Sequence, residues 1–151
     1  MSAERLVVRF RQFLLGLTIA LCLGIVAELL LTGHDEEPLQ WVPIVACTVA
    51  ALVAAAVLIR PNRTTIGLLR AMMVITALAG ILGTYEHLTG NLEFAQEVNA
   101  AKANAAPLMT ALTGANPVLA PGALGVTALV ALASTYFHPA LKDQLKEQTS
   151  S

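Results

Sequence analysis

The sequence predicts an all-α integral membrane protein, a four-transmembrane-helix bundle with an amphipathic helix in the outer loop between helices 3 and 4. Three observations carry this expectation: four apolar runs of spanning length, basic residues gathered almost entirely on one side of the parse, and one long connection with apolar residues at helical spacing. With 56% apolar and only 13% charged residues, the 151 residues form one membrane domain, 1–151, too apolar for a soluble fold.

A spanning helix needs about 20 mostly apolar residues at about 1.5 Å rise each. The runs 12–32, 41–60, 66–88 and 119–138 meet that length. Gly33, Pro38, Pro61, Gly90, Pro117 and Pro139 fall between or beyond them as breakers. Pro43 and Pro121 occupy first turns, where a missing N–H is harmless. Trp41, Tyr85, Phe10, Phe13, Tyr136 and Phe137 lie near run ends, as interfacial aromatic belts require. The first run follows Arg5, Arg9 and Arg11 like a secretory signal, but it exceeds a signal core of about 7–15 residues and no small-x-small cleavage pattern follows. It is therefore read as a retained helix.

Orientation follows from the cations. Arg5, Arg9, Arg11, Arg60, Arg63, Arg70, Lys142 and Lys146 fall on one side of a four-span parse and only Lys102 on the other. The first side is expected to be cytoplasmic and to hold both termini, and the Ala/Leu-rich chain suits a bacterial inner membrane.

Helices in lipid associate through small residues at four-residue spacing. The first run offers Gly16, Ala20 and Gly24, with Glu28 next in the row; the third offers Ala79 and Gly83, with His87 next. Ala46, Ala50 and Ala54, and Ala123, Thr127, Ala131 and Thr135, give the second and fourth runs similar rows. Each row is expected to face a neighbouring helix. Cys22 and Cys47 lie inside apolar runs and read as small packing residues, and Arg70 reads as a snorkelling anchor.

The rows point toward a candidate polar cluster of Glu28, Glu86 and His87 at the outer end, which His34, Glu93 and Glu97 could join. Carboxylates and imidazoles there suit metal, proton or ligand binding. The alternative is that all reach water from helix ends. No Glu-x-x-His pair and no two histidines at helical spacing on one segment specify a metal or haem, so no cofactor is predicted and the metal question stays open.

About thirty residues separate the third and fourth runs, too many for an unstructured connection in so small a domain. Phe94, Val98, Ala101 and Ala105 recur at helical spacing, Asn91 is a plausible N-cap and Pro107 a terminator, so a helix is expected over about 92–105. Its polar side is not Lys/Arg-rich, which favours a lid or a protein contact over anionic lipid. The runs Thr84 to Phe94 and Thr113 to Pro117 stand out as signature-like.

These features narrow the function. A net charge of −1 offers no face for nucleic acid. The runs lack the mid-membrane polar groups a transporter needs, and no nucleophile constellation or phosphate loop marks an enzyme, so no catalytic residue is assigned. The favoured expectation is a scaffold or accessory subunit in the lipid bilayer, with a protein partner or as a homo-oligomer. The alternative is a proton- or metal-linked protein using the outer polar cluster.

Overall fold

The computed structural model describes residues 2–141. Lys142 and Lys146, counted in the charge asymmetry, lie outside that range. The helices are α1 (Ala3–Leu31), α2 (Trp41–Ile59), α3 (Arg63–Ala105), α4 (Pro107–Leu112) and α5 (Gly122–Thr135), with 3-10 turns at Pro38–Gln40 and Pro139–Leu141. No strand is present among the described residues.

Helix α1 begins nine residues earlier than the apolar run at 12–32 suggests. Nothing between Ala3 and Gln12 breaks a helix, the Ser2 hydroxyl accepts from the Arg5 N–H at 3.5 Å, and Glu4 sits in the first turn, where the macrodipole favours an anion. It ends at a Schellman turn: the His34 N–H donates to Leu29 O at 2.8 Å and the Gly33 N–H to Leu30 O at 3.4 Å, with Gly33 at φ +71°. Helix α3 starts in a capping box, in which Asn62 Oδ1 accepts from the Thr65 N–H at 3.0 Å and Thr65 Oγ1 from the Asn62 N–H at 3.1 Å.

The largest departure from expectation lies in α3, which does not stop at residue 88. It runs through Gly90 and Asn91 without a break, so there is no separate helix over 92–105 and Asn91 is not a cap. The interruption comes at Asn99 (φ −157°, ψ 84°), whose Oδ1 accepts from the Lys102 N–H at 3.1 Å and so caps the last six residues. The residues at helical spacing there, Phe94, Val98, Ala101 and Ala105, are exposed, whereas Asn91 and Ala103 are buried.

Helix α5 is shorter than the run 119–138. Pro121 cannot donate, so the chain enters α5 through tighter bonds from Ala120 to Pro117 O, Gly122 to Leu119 O, Ala123 to Ala120 O and Leu124 to Pro121 O, all 3.0–3.1 Å. At its other end Tyr136 is extended and Phe137 turns to φ +45°.

Helix α1 packs on α2 and α5, and α3 packs on the same two. Arg11 near the start of α1 and Arg70 near the start of α3 both reach the C-terminal end of α5, so α1 and α3 run antiparallel to it. One end of the molecule, here the basic end, thus carries Arg5, Arg9, Arg11, Arg60, Arg63 and Arg70; the other, the acidic end, carries Asp35, Glu36, Glu37 and Glu86.

The interior combines rows of small residues with a few large ones such as Ile66, Leu69 and Met73, while many large apolar side chains face outward, unlike in a water-soluble helical protein. Ala46, Ala50, Ala54, Ala128 and Ala131 are buried, while Leu52, Ile59, Leu78, Ile81 and Leu129 are exposed. Buried Thr18, Thr76 and Thr127 donate to carbonyls four residues back at 2.8–2.9 Å, which satisfies their hydroxyls without a partner helix. Glycine permits the closest approach of α3 and α5: a Cβ on Gly80 would lie 2.9 Å from Pro121 O, and one on Gly83 3.1 Å from Pro121 Cβ. Three helices, α1, α2 with its leading turn, and α3, are long and apolar enough to cross a membrane, the hallmark of a helical membrane protein.

Candidate functional site

Chemistry-bearing groups converge at the acidic end, where the chain between α4 and α5 lies along one face of α3. That face is Gly80, Gly83, His87 and Asn91, at three- and four-residue spacing. His87 is half-buried, and its Nδ1 lies 2.9 Å from Pro117 O. One turn on, Asn91 is 3% exposed and its carboxamide makes three hydrogen bonds. Nδ2 donates to Ala111 O and Asn116 O at 2.9 Å each, and Oδ1 accepts from the Asn116 N–H at 2.8 Å. Two glycines make room: a Cβ on Gly114 would run into the Asn91 side chain, and one on Gly90 would stand 3.2 Å from Asn116 Nδ2. The two signature-like runs are therefore the two halves of one junction.

The Schellman turn of α1 delivers a second imidazole. His34 is half-buried and faces His87, with ring centroids 6.2 Å apart and planes inclined at 56°. The connection after it is tied locally: the Trp41 Nε1–H donates to Asp35 O at 2.9 Å, and Gln40 Oε1 accepts from the Glu36 and Glu37 N–H groups at 3.0 and 3.1 Å.

Of the six residues in the predicted polar cluster, this pair is what the structure brings together. Glu28 and Glu86 are exposed, as are Glu93 and Glu97 on the part of α3 beyond the junction. Among the described residues no three His, Cys, Asp or Glu side chains gather closely enough to hold a metal ion by themselves. Asn91, which completes the junction, was legible as a cap and not as a buried hub. Its signal was the stripe Ile66, Leu69, Met73, Thr76, Gly80, Gly83, His87, whose spacing continues past Gly90 without a phase change.

The packing rows divide. Gly83 lies on the α5 side of α3, and Ala79 is buried. Gly16, Ala20 and Gly24 are exposed, and a Cβ on Gly16 or Gly24 would meet nothing within 4 Å, so within one chain this row carries no helix contact. The packed face of α1 is instead Leu15, Thr18 and Cys22. Cys22 meets Cys47 of α2, and both thiols are free and 0% exposed.

At the basic end, two arginines close α5. Arg70 donates through Nε to Thr135 Oγ1 at 3.1 Å and through Nη2 to Thr135 O at 2.8 Å; Arg11 Nη2 donates to Tyr136 O and Phe137 O at 3.1 Å each. Arg70 is thus a cap on the negative end of another helix, a role beyond snorkelling.

Beyond the junction, a groove of about 310 Å³ runs between the end of α3 and α4, lined by Phe94, Ala95, Val98, Lys102, Thr110 and Thr113 among others. Compared with models of protein families, with curated proteins and with solved structures, the chain matches none.

Proposed function

We propose that the chain is a four-span scaffold or accessory subunit of a bacterial inner membrane, with its basic end and both termini cytoplasmic, that offers the projecting part of α3 and α4 to a protein partner on the other side. The observation that carries this reading is the length of α3. Its unbroken stretch 63–98 is about 54 Å long at 1.5 Å per residue, against a hydrocarbon core of about 30 Å. The excess stands at the acidic end and is braced there by Asn91, yet it leaves Phe94, Val98, Leu108 and Met109 exposed. An ordered support under an apolar surface suits a docking element better than a linker.

The fourth span rests on length. Fourteen helical residues of α5 give only about 21 Å, but the tightened turns from Pro117 to Pro121 add about 10 Å at roughly 2 Å per residue and bring the total to bilayer thickness. The basic residues grouped at one end support the orientation.

The test is native mass spectrometry of the protein extracted from its own membrane in mild detergent, combined with a photo-crosslinking residue at Val98. A second polypeptide that both co-purifies and crosslinks at Val98 supports the proposal. A bare chain without crosslinks at Val98 overturns it.

A further inference from the structure

Between them, His34 and His87 have four ring nitrogens, and the described residues engage one. Pro117 O carries no hydrogen, so its 2.9 Å contact requires that Nδ1 of His87 be protonated and donate. In the neutral ring Nε2 then keeps its lone pair. Metal-binding histidines are set up in this way, with the second nitrogen donating to a carbonyl that fixes tautomer and orientation. The ring nitrogens of His34 have no hydrogen-bond partner among the described residues. Both rings are half-buried, and Asp35, Glu36 and Glu37 after His34 and Glu86 before His87 make this end favourable to a cation.

Distance sets the first condition for one ion to reach both rings. A zinc-like ion lies about 2.0–2.1 Å from each ligating nitrogen and so about 3.1–3.2 Å from each ring centroid, which caps the centroid separation at about 6.3 Å. The observed 6.2 Å falls inside that cap. At this separation the nitrogen–metal–nitrogen angle is wide, and a tetrahedral angle needs the rings to close by about 1 Å. His34 sits on a surface turn, so a shift of that size breaks no hydrogen bond of its ring.

We propose that His34 and His87 together bind one imidazole-preferring transition-metal ion, of the zinc or copper type, with water filling the remaining positions. Two protein ligands make an exchangeable site. Binding fastens the end of α1 to α3 and, through Pro117, to the entry of α5. The proposal stands apart from the scaffold reading: a failed metal test leaves partner capture untouched, and the reverse also holds.

The full chain, stripped with chelator and held in lipid nanodiscs, is titrated with Cu²⁺ and read by electron paramagnetic resonance, which separates nitrogen from oxygen ligands. The chain has three histidines, so the assignment is tractable. The native protein is expected to show two coupled nitrogens. His34→Ala and His87→Ala should each remove one and weaken binding by more than about tenfold, while His138→Ala changes neither. His34→Ala disturbs no hydrogen bond and keeps the test independent of folding. Oxygen-only coordination in the native protein, or a nitrogen pattern and affinity unchanged by His34→Ala, would overturn the proposal.

Discussion

Replacing Asn91 by leucine should release the chain between α4 and α5 while leaving the rest of the protein folded. The side chain is 3% exposed and makes three hydrogen bonds of 2.8–2.9 Å, to Ala111 O, Asn116 O and the Asn116 N–H. Leucine keeps the branched skeleton of asparagine but is larger and cannot hydrogen-bond, so the main cost is that of stranding three backbone groups, Ala111 O buried and the two of Asn116 partly so. At about 1–3 kcal/mol for each group left unsatisfied, and with water reaching some of them after a local shift, about 3 kcal/mol is expected. Because the junction lies beyond the apolar stretch of α3, that loss should appear as local opening rather than global unfolding. Hydrogen exchange of residues 107–117 in nanodiscs should therefore accelerate about 150-fold, since about 1.4 kcal/mol is a factor of ten in an equilibrium, with α1 and α2 unchanged. Acceleration of less than about threefold would mean that Asn91 does not hold the junction, and the account of it given above would be wrong.

Three further outcomes are expected. Gly80→Val should cost about 1–3 kcal/mol in reversible unfolding from mixed micelles, because its Cβ meets Pro121 O, whereas Gly16→Ala should be neutral within about 0.5 kcal/mol. Arg70→Ala should cost about 1–2 kcal/mol in the same assay by uncapping Thr135 O, and Lys at that position should recover only part, since an ammonium cannot serve Thr135 Oγ1 and O as a fork. Cys22 and Cys47 should resist a water-soluble maleimide in the folded protein and label promptly after denaturation, as read by the added mass.

What could be read from the sequence was whatever composition and periodicity determine. The buried row Ala46, Ala50 and Ala54 is visible as a four-residue repeat, and the end of α1 is marked by Gly33, which the positive φ of that turn requires. Gly90 misled because glycine costs about 1 kcal/mol in a helix and reads as a breaker when its neighbours are ignored. Here the missing Cβ admits Asn116, a residue twenty-six positions away, and tertiary packing outweighs propensity. The row Gly16, Ala20 and Gly24 meets no neighbour within the chain, since small residues permit close packing without saying which face a neighbour will choose. The same logic separates the candidate site's members. His34 and His87 could be placed at one end by counting spans, but their contact depends on the exact turn after Leu31, and Asn91 acquires its role only when the chain returns along α3.

The uninterrupted run of α3 from Arg63 to Val98 makes it a lever. With residue 77 as fulcrum, a tilt of about 10° swings the Val98 tip by about 5 Å and the Asn62 cap by about 4 Å in the opposite direction. Both displacements exceed the length of a hydrogen bond. A tilt of that kind would move the two ends together, and the packing of α3 on α2 and α5 is what resists it.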